Sequence, residues 1–144
     1  MILCSFNPEN NKLSMISFLR DLYVQIPGYE DNRLNAAYAY GGFELLKETL
    51  NLNFGISVDG CLESDFEGFK KIIDTVGGVE IELTAEEAEI VGNGATEGLC
   101  ALDGEQALTY ARIRKIDSDF QRTSRQRKIM GAVFKKAKTY SLPE

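Results

Sequence analysis

At 144 residues, 44% of them hydrophobic and 26% charged, the chain has the make-up of one globular core rather than two. It holds no apolar run near the roughly 18 to 20 residues of a membrane span, no basic-then-apolar leader, and no histidine, which excludes Ser-His-Asp and Cys-His nucleophiles. The net charge of −6 divides unevenly: residues 1–111 carry 19 acids and 6 bases, whereas residues 112–138 carry 10 bases and 2 acids.

In chain order, Met1 to Phe6 and Lys12 to Phe18 flank the turn formers Asn7-Pro8-Glu9-Asn10-Asn11 and read as a β-hairpin. Because the chain opens inside a strand, further sequence upstream of Met1 is expected, with any anchor or signal it carries. Leu22 to Ile26 reads as a third strand, closed by Pro27-Gly28. Asn32 to Tyr40 favours a short helix; Gly41-Gly42 interrupts it, and Phe43 to Leu52 resumes as a second. Ser57 to Glu63 reads as a strand. Phe66, Phe69, Ile72, Ile73 and Val76 recur at helical spacing until Gly77-Gly78 ends the helix. Val79, Ile81 and Leu83 alternate with Glu80 and Glu82, the pattern of a strand with one packed face. A short Glu-rich helix and a loop with Gly92, Gly94 and Gly98 follow. Asp103 suits the N-cap of a helix from Gly104 to Ala111, and the last helix should run from about Asp119 to Lys138. Strands and helices interleave, so the expected fold is an α/β sandwich with a mixed central sheet flanked by helices, as one domain over 1–144. Cys4, Cys61 and Cys100 show no metal-ligand pairing and read as small buried apolar residues.

The acidic body with one basic segment argues for a localised anion site over a wholly basic nucleic-acid binder. Ile129, Met130, Val133, Phe134 and Ala137 form an apolar stripe on the last helix. Extended backwards, the stripe reaches Gln126 and Arg122, which should point inward, whereas Arg127, Lys128, Lys135 and Lys138 should face solvent. Arg112 and Arg114, two apart, share one face if their segment is extended. Guanidinium forks match phosphate oxygens and stay charged. Asp119 near the helix start is favoured by the helix dipole and can hold an arginine in place. The plainer alternative is a solvated charged face whose Arg–Asp pairs only tie a loop down. Arg20-Asp21 after the second strand is a second candidate, and Arg33 and Asn35 with Tyr38 and Tyr40 a third, against a packed aromatic helix. No G-x-x-x-x-G-K-[ST] or G-x-G-x-x-G loop is present.

Three stretches carry a family resemblance: Asn35-Ala-Ala-Tyr-Ala-Tyr-Gly-Gly42, Phe66-Glu-Gly-Phe69 leading to Asp74-Thr-Val-Gly-Gly-Val79, and Gly104-x-x-Ala-Leu-x-Tyr-Ala-Arg-x-Arg114 with Asp119, Arg122 and Gln126. Together they resemble the LytR-CpsA-Psr domain along essentially the whole chain. The resemblance implies an enzyme that passes a polyprenyl-diphosphate-linked glycopolymer, of teichoic acid or capsule type, with its linking phosphate, to a peptidoglycan hydroxyl. Carried over by position, Arg20, Arg112, Arg114, Arg122 and Gln126 would bind the diphosphate, with Arg33 as an addition. Asp119 would orient arginines or help place magnesium, and Asp21 is the other candidate base. The remaining acids that hold Mg2+ in the family would lie upstream of Met1. Action outside the cytoplasm, on a membrane-anchored protein, and a lipid-linked glycan as partner follow from the same resemblance.

The sequence is also compatible with two other readings. One is a transcriptional attenuator whose basic helix contacts nucleic acid, which would present its bases outward along a helix. The other is a polyprenyl-diphosphate pyrophosphatase that uses the same site with water as acceptor.

Overall fold

The computed structural model describes residues 1–114 and 118–139, apart from the side chain of Asp119. The chain forms two compact units, Met1–Glu63 and Ser64–Glu144, each with its own buried cluster.

In the first unit, β1 (Ile2–Asn7) pairs antiparallel with β2 (Lys12–Ser17), as the turn formers between them predict. The ribbon contributes no fully buried residue. The expected third strand shrinks to β3 (Tyr23–Val24), and its partner β4 (Asn32–Arg33) takes the first two residues of the expected helix. Helix α1 (Leu34–Phe54) follows, with non-helical backbone at Gly41 and Gly42. Gly42, at φ 63 and ψ −152, occupies a region open essentially to glycine alone, so the break read from Gly41-Gly42 is present. Leu34, Ala37, Leu46 and Leu50 of α1 pack with Val24 and Ile26 as the core of this unit. The strand expected over Ser57 to Glu63 does not form: residues 55–65 have no regular structure, and none of them is buried. A strand needs a neighbour for its backbone groups, and here each described strand pairs elsewhere.

In the second unit, α2 (Phe66–Thr75) is capped by Asp65, whose side chain accepts the Gly68 N–H at 2.7 Å. Strand β5 (Val79–Leu83) buries Val79, Ile81 and Leu83 and exposes Glu80 and Glu82, as the alternation predicts. Helix α3 (Ala85–Val91) opens on a capping box between Thr84 and Glu87. Gly98–Leu102, expected as loop, forms strand β6 and pairs antiparallel with β5. Helix α4 (Gly104–Ala111) has Asp103 as its N-cap, accepting the Gln106 N–H at 2.9 Å. Helix α5 (Asp119–Thr139) closes the chain. Ile73, Val79, Ile81, Leu102, Tyr110 and Ile129 share one core, and each such side chain withdrawn from water contributes about 1.5–3 kcal/mol.

The α/β class holds, with the strands of the described residues paired as three antiparallel two-stranded ribbons. Cys4 and Cys61 are exposed and Cys100 is half-buried, all as free thiols. The expectation of buried cysteines therefore fails, because the β1–β2 ribbon and the 55–65 segment that carry two of them lie outside both cores.

Candidate functional site

Arg112 ends α4 at φ −98 and ψ 2. The next two residues alternate: Ile113 is buried, while Arg112 and Arg114 are both exposed. The backbone is not extended at Arg112 as the shared-face expectation required, yet both arginines line one groove of about 620 Å³, together with Ile90, Glu105, Leu108, Thr109 and Ile113. Arg112 is held there by Phe66, its guanidinium carbon 4.5 Å from the ring centroid, a cation–π contact that restricts the side chain without neutralising it. Arg112 lies on α4 and Phe66 on α2, so the packing of these helices sets where the charge sits. One ion pair, between Lys70 and Glu105, and one hydrogen bond tie the same helices together. Lys70 of α2 reaches Glu67 at 2.7 Å and Glu105 at 3.1 Å, and the Gly104 N–H donates to Asp74 at 2.8 Å. The Glu67 and Glu105 carboxylates hold the Lys70 ammonium above its usual range.

Arg122 and Gln126 are both half-buried on α5, in keeping with an inward face, and neither lines the Arg112–Arg114 groove. Of the expected stripe only Ile129 is buried: Met130, Val133 and Phe134 are half-buried and Ala137 is exposed, while Arg127 is half-buried rather than facing solvent; Lys128, Lys135 and Lys138 are exposed as expected. The deepest polar residue of α5 is one that the sequence reading passed over, Arg125, which is 3% exposed. Its Nε donates to Glu87 of α3 at 2.9 Å, and its guanidinium carbon lies 6.0 Å from the ring centroid of the fully buried Tyr110. The signal was available: Arg125 stands four residues before Ile129, the one fully buried position of the stripe. Asp119, expected to steady these arginines, has a side chain outside the described residues.

Arg20, Asp21 and Arg33 belong to the first unit and are exposed. The Arg20–Asp21 turn lies against the start of α1: the Arg20 carbonyl accepts the Asn35 N–H at 3.4 Å, and Leu34 donates to Leu22 at 2.7 Å. The neighbouring phenols are occupied. Tyr40 stacks on Tyr29 with centroids 4.9 Å apart and accepts a hydrogen bond from Asn32. Tyr38 donates to Glu63, and that bond holds its phenol above the usual range. Among the described residues, no three Asp, Glu, His or Cys side chains gather to hold a metal. Nor is any described helix long and apolar enough to cross a membrane.

Cationic side chains at the end of α4, followed at once by the half-buried polar face of α5, repeat the order of residues that pointed to one family, and residues 1–142 match it: the LytR_cpsA_psr family. The chain is a LytR-CpsA-Psr protein. It is 36% identical over 146 residues to the polyisoprenyl-teichoic acid–peptidoglycan teichoic acid transferase TagU of Bacillus mycoides, a match over 98% of this chain and 47% of the relative. Among solved structures, TagT bound to LIIa-WTA superposes with a TM-score of 0.86 at 34% identity, covering 97% of this chain and 58% of that one. The TagT (YwtF) structure with bound octaprenyl pyrophosphate lipid does so with a TM-score of 0.81 at 31% identity, over 97% and 59%. The chain thus spans about half the length of the curated relatives it matches.

Proposed function

We propose that the chain is the part of a glycopolymer transferase that grips the diphosphate of a polyprenyl-linked anionic polymer, and that the whole protein transfers that polymer to peptidoglycan outside the cytoplasm. One observation carries the reading: Arg112 and Arg114 line one groove shortly before a helix on which Arg122 and Gln126 are half-buried. A relative of the same family is a teichoic acid transferase, and another binds octaprenyl pyrophosphate, which supports a diphosphate as the anion.

In this reading the acceptor hydroxyl attacks the sugar-linked phosphorus, the bridging P–O bond breaks, and polyprenyl phosphate leaves. The protein's task is positioning and charge neutralisation, because phosphoryl transfer gains most from fixed cations on the non-bridging and leaving oxygens. Arg112 and Arg114 are suited to it as planar donors that cannot lose their charge. Arg122 and Gln126 add a cation and an amide, Arg20 and Arg33 are the further candidates from the first unit, and Asp119 or Asp21 would take the hydroxyl proton. Magnesium, if held by further acids of the whole protein with Asp119, would draw charge from the leaving diphosphate; among the described residues no three Asp, Glu, His or Cys side chains gather to hold it.

The test is calorimetric titration with a short-chain polyprenyl diphosphate, with and without magnesium, for the parent chain and for Arg114→Ala and Arg122→Ala. Each substitution should weaken binding on the order of 10-fold or more, as expected for a charge-assisted contact of about 1.5–3 kcal/mol, with unfolding midpoints near the parent's. Unchanged affinity in both variants overturns the reading. Release of inorganic phosphate or free polymer without an acceptor would favour the pyrophosphatase, and salt-dependent duplex DNA binding the regulator.

A further inference from the structure

The buried pair Glu87–Arg125 lies outside the proposed diphosphate site, with Arg125 in the first half of the helix that carries Arg122 and Gln126. Both side chains are nearly sealed from water, at 8% and 3% exposed for Glu87 and Arg125. Glu87 is already fixed before it meets its partner. One carboxylate oxygen accepts the Thr84 N–H at 3.0 Å within the capping box of α3, and the other accepts Arg125 Nε at 2.9 Å. Arg125 in turn approaches the face of Tyr110, two residues before Arg112. A single side chain therefore registers α5 against both α3 and α4.

Stability alone is a weak account of such a pair. Desolvating two charges costs about as much as their attraction returns, and well-packed apolar replacements are often neutral or better. What an ion pair adds is direction. Ile129 and Val133 bury an apolar stripe that still packs after a modest rotation or slide, whereas a bonded carboxylate and guanidinium have one geometry. A helix turns about 100° per residue, so Arg122, three residues before Arg125, shares its face, and Gln126 follows it directly. A turn of the helix large enough to break the Glu87 bond would carry both away from their inward positions.

We infer that Glu87 and Arg125 are positioning residues, which set the rotation of the first half of α5 and so aim Arg122 and Gln126 at the diphosphate; the inference rests on the reading of the site given above. The experiment compares the whole chain with Glu87→Gln, Arg125→Met and the apolar double variant Glu87→Leu/Arg125→Met. Two quantities are measured: affinity for a short-chain polyprenyl diphosphate, and hydrogen exchange along α5. The double variant also gives up the Glu87 half of the α3 capping box, so it should unfold near or slightly below the parent temperature yet bind on the order of 10-fold more weakly, in line with the cost of misplacing a contact through its supporting shell. Amides of residues 122–126 should exchange faster while those of 130–136 do not change, and Glu87→Gln should also lose affinity. Parental affinity and parental exchange in the double variant would make the pair merely structural. Loss of binding in Arg125→Met with full binding in Glu87→Gln would mean that Arg125 touches the ligand itself, which also overturns the inference. If the parent binds no diphosphate, the functional reading fails on its own, and the exchange comparison still decides the positioning role.

Discussion

An ideal Cβ built on Gly104 would stand 2.5 Å from the Lys70 carbonyl oxygen and 2.9 Å from an Asp74 carboxylate oxygen, closer than real side-chain carbons approach. The absence of a side chain is what lets the start of α4 meet the backbone of α2, and with it the Gly104–Asp74 hydrogen bond. Gly104→Ala must push the two helices apart, and overpacking of this kind costs about 1–3 kcal/mol. Urea unfolding should show that loss. Gly60→Ala, with nothing within 4 Å of its added carbon, should stay within about 0.5 kcal/mol of the parent. Equal stability of the two variants would mean that the approach relaxes without cost. Asp103 is legible as a cap in the sequence, and the constraint on the glycine beside it is not. A cap is a local signal, whereas Gly104 is constrained by the Lys70 backbone and by the Asp74 side chain, the latter 30 residues away. Arg125 was missed for a related reason: its partner Glu87 is 38 residues distant, and helical spacing alone gave Arg122 and Gln126 the same claim to the inward face.

Elements whose fate is decided within themselves were legible. The apolar spacing of α2, the alternation of β5, the cap of α4 and the glycine break in α1 all appear where the residues put them. Strand β6 was not, because Gly98 and an outward Leu99, 71% exposed, give no alternation until β5 supplies the register. The reverse error, a strand over Ser57 to Glu63, came from β-prone residues that find no neighbour. Lys70 shows how two legible helices are joined by something the sequence does not display. Its ammonium is held above the ordinary lysine value of about 10.5 by Glu67 first and Glu105 second. The sign follows from linkage: a base with a raised folded value contributes stability that is fully present below its unfolded value and is lost as pH rises through the folded one. Nuclear magnetic resonance titration of the Lys70 side chain should find its midpoint above the ordinary lysine value. Glu67→Gln should lower its midpoint more than Glu105→Gln does, and no change in either variant would remove the bridge between α2 and α4.

Across the molecule, charge is sorted by position along the chain, and the sorting bears on how an anion arrives. Within the second unit alone, residues 64–111 carry 11 acids and 2 bases, and residues 112–138 carry 10 bases and 2 acids. A diphosphate near Arg112 and Arg114 feels both sets, weighted by distance. At about 0.1 M salt the screening length is roughly 10 Å, so the neighbouring guanidiniums dominate; at about 0.01 M it grows to roughly 30 Å, and the acidic body comes within reach. Affinity for a short-chain polyprenyl diphosphate should therefore fall as salt rises above about 0.1 M, as for any site built on cations. Below that concentration the gain should flatten, because longer-range repulsion from the acids grows together with the local attraction. Glu80→Gln/Glu82→Gln, on the exposed face of β5 and outside the groove lining, should restore part of the missing gain at low salt and leave affinity at about 0.15 M unchanged within error. A plot of log affinity against log salt that stays straight down to about 0.01 M in the parent would show that the acidic body is not felt at the site. In that case the guanidiniums act as an isolated cluster, and the uneven charge of the chain has no part in capturing the ligand.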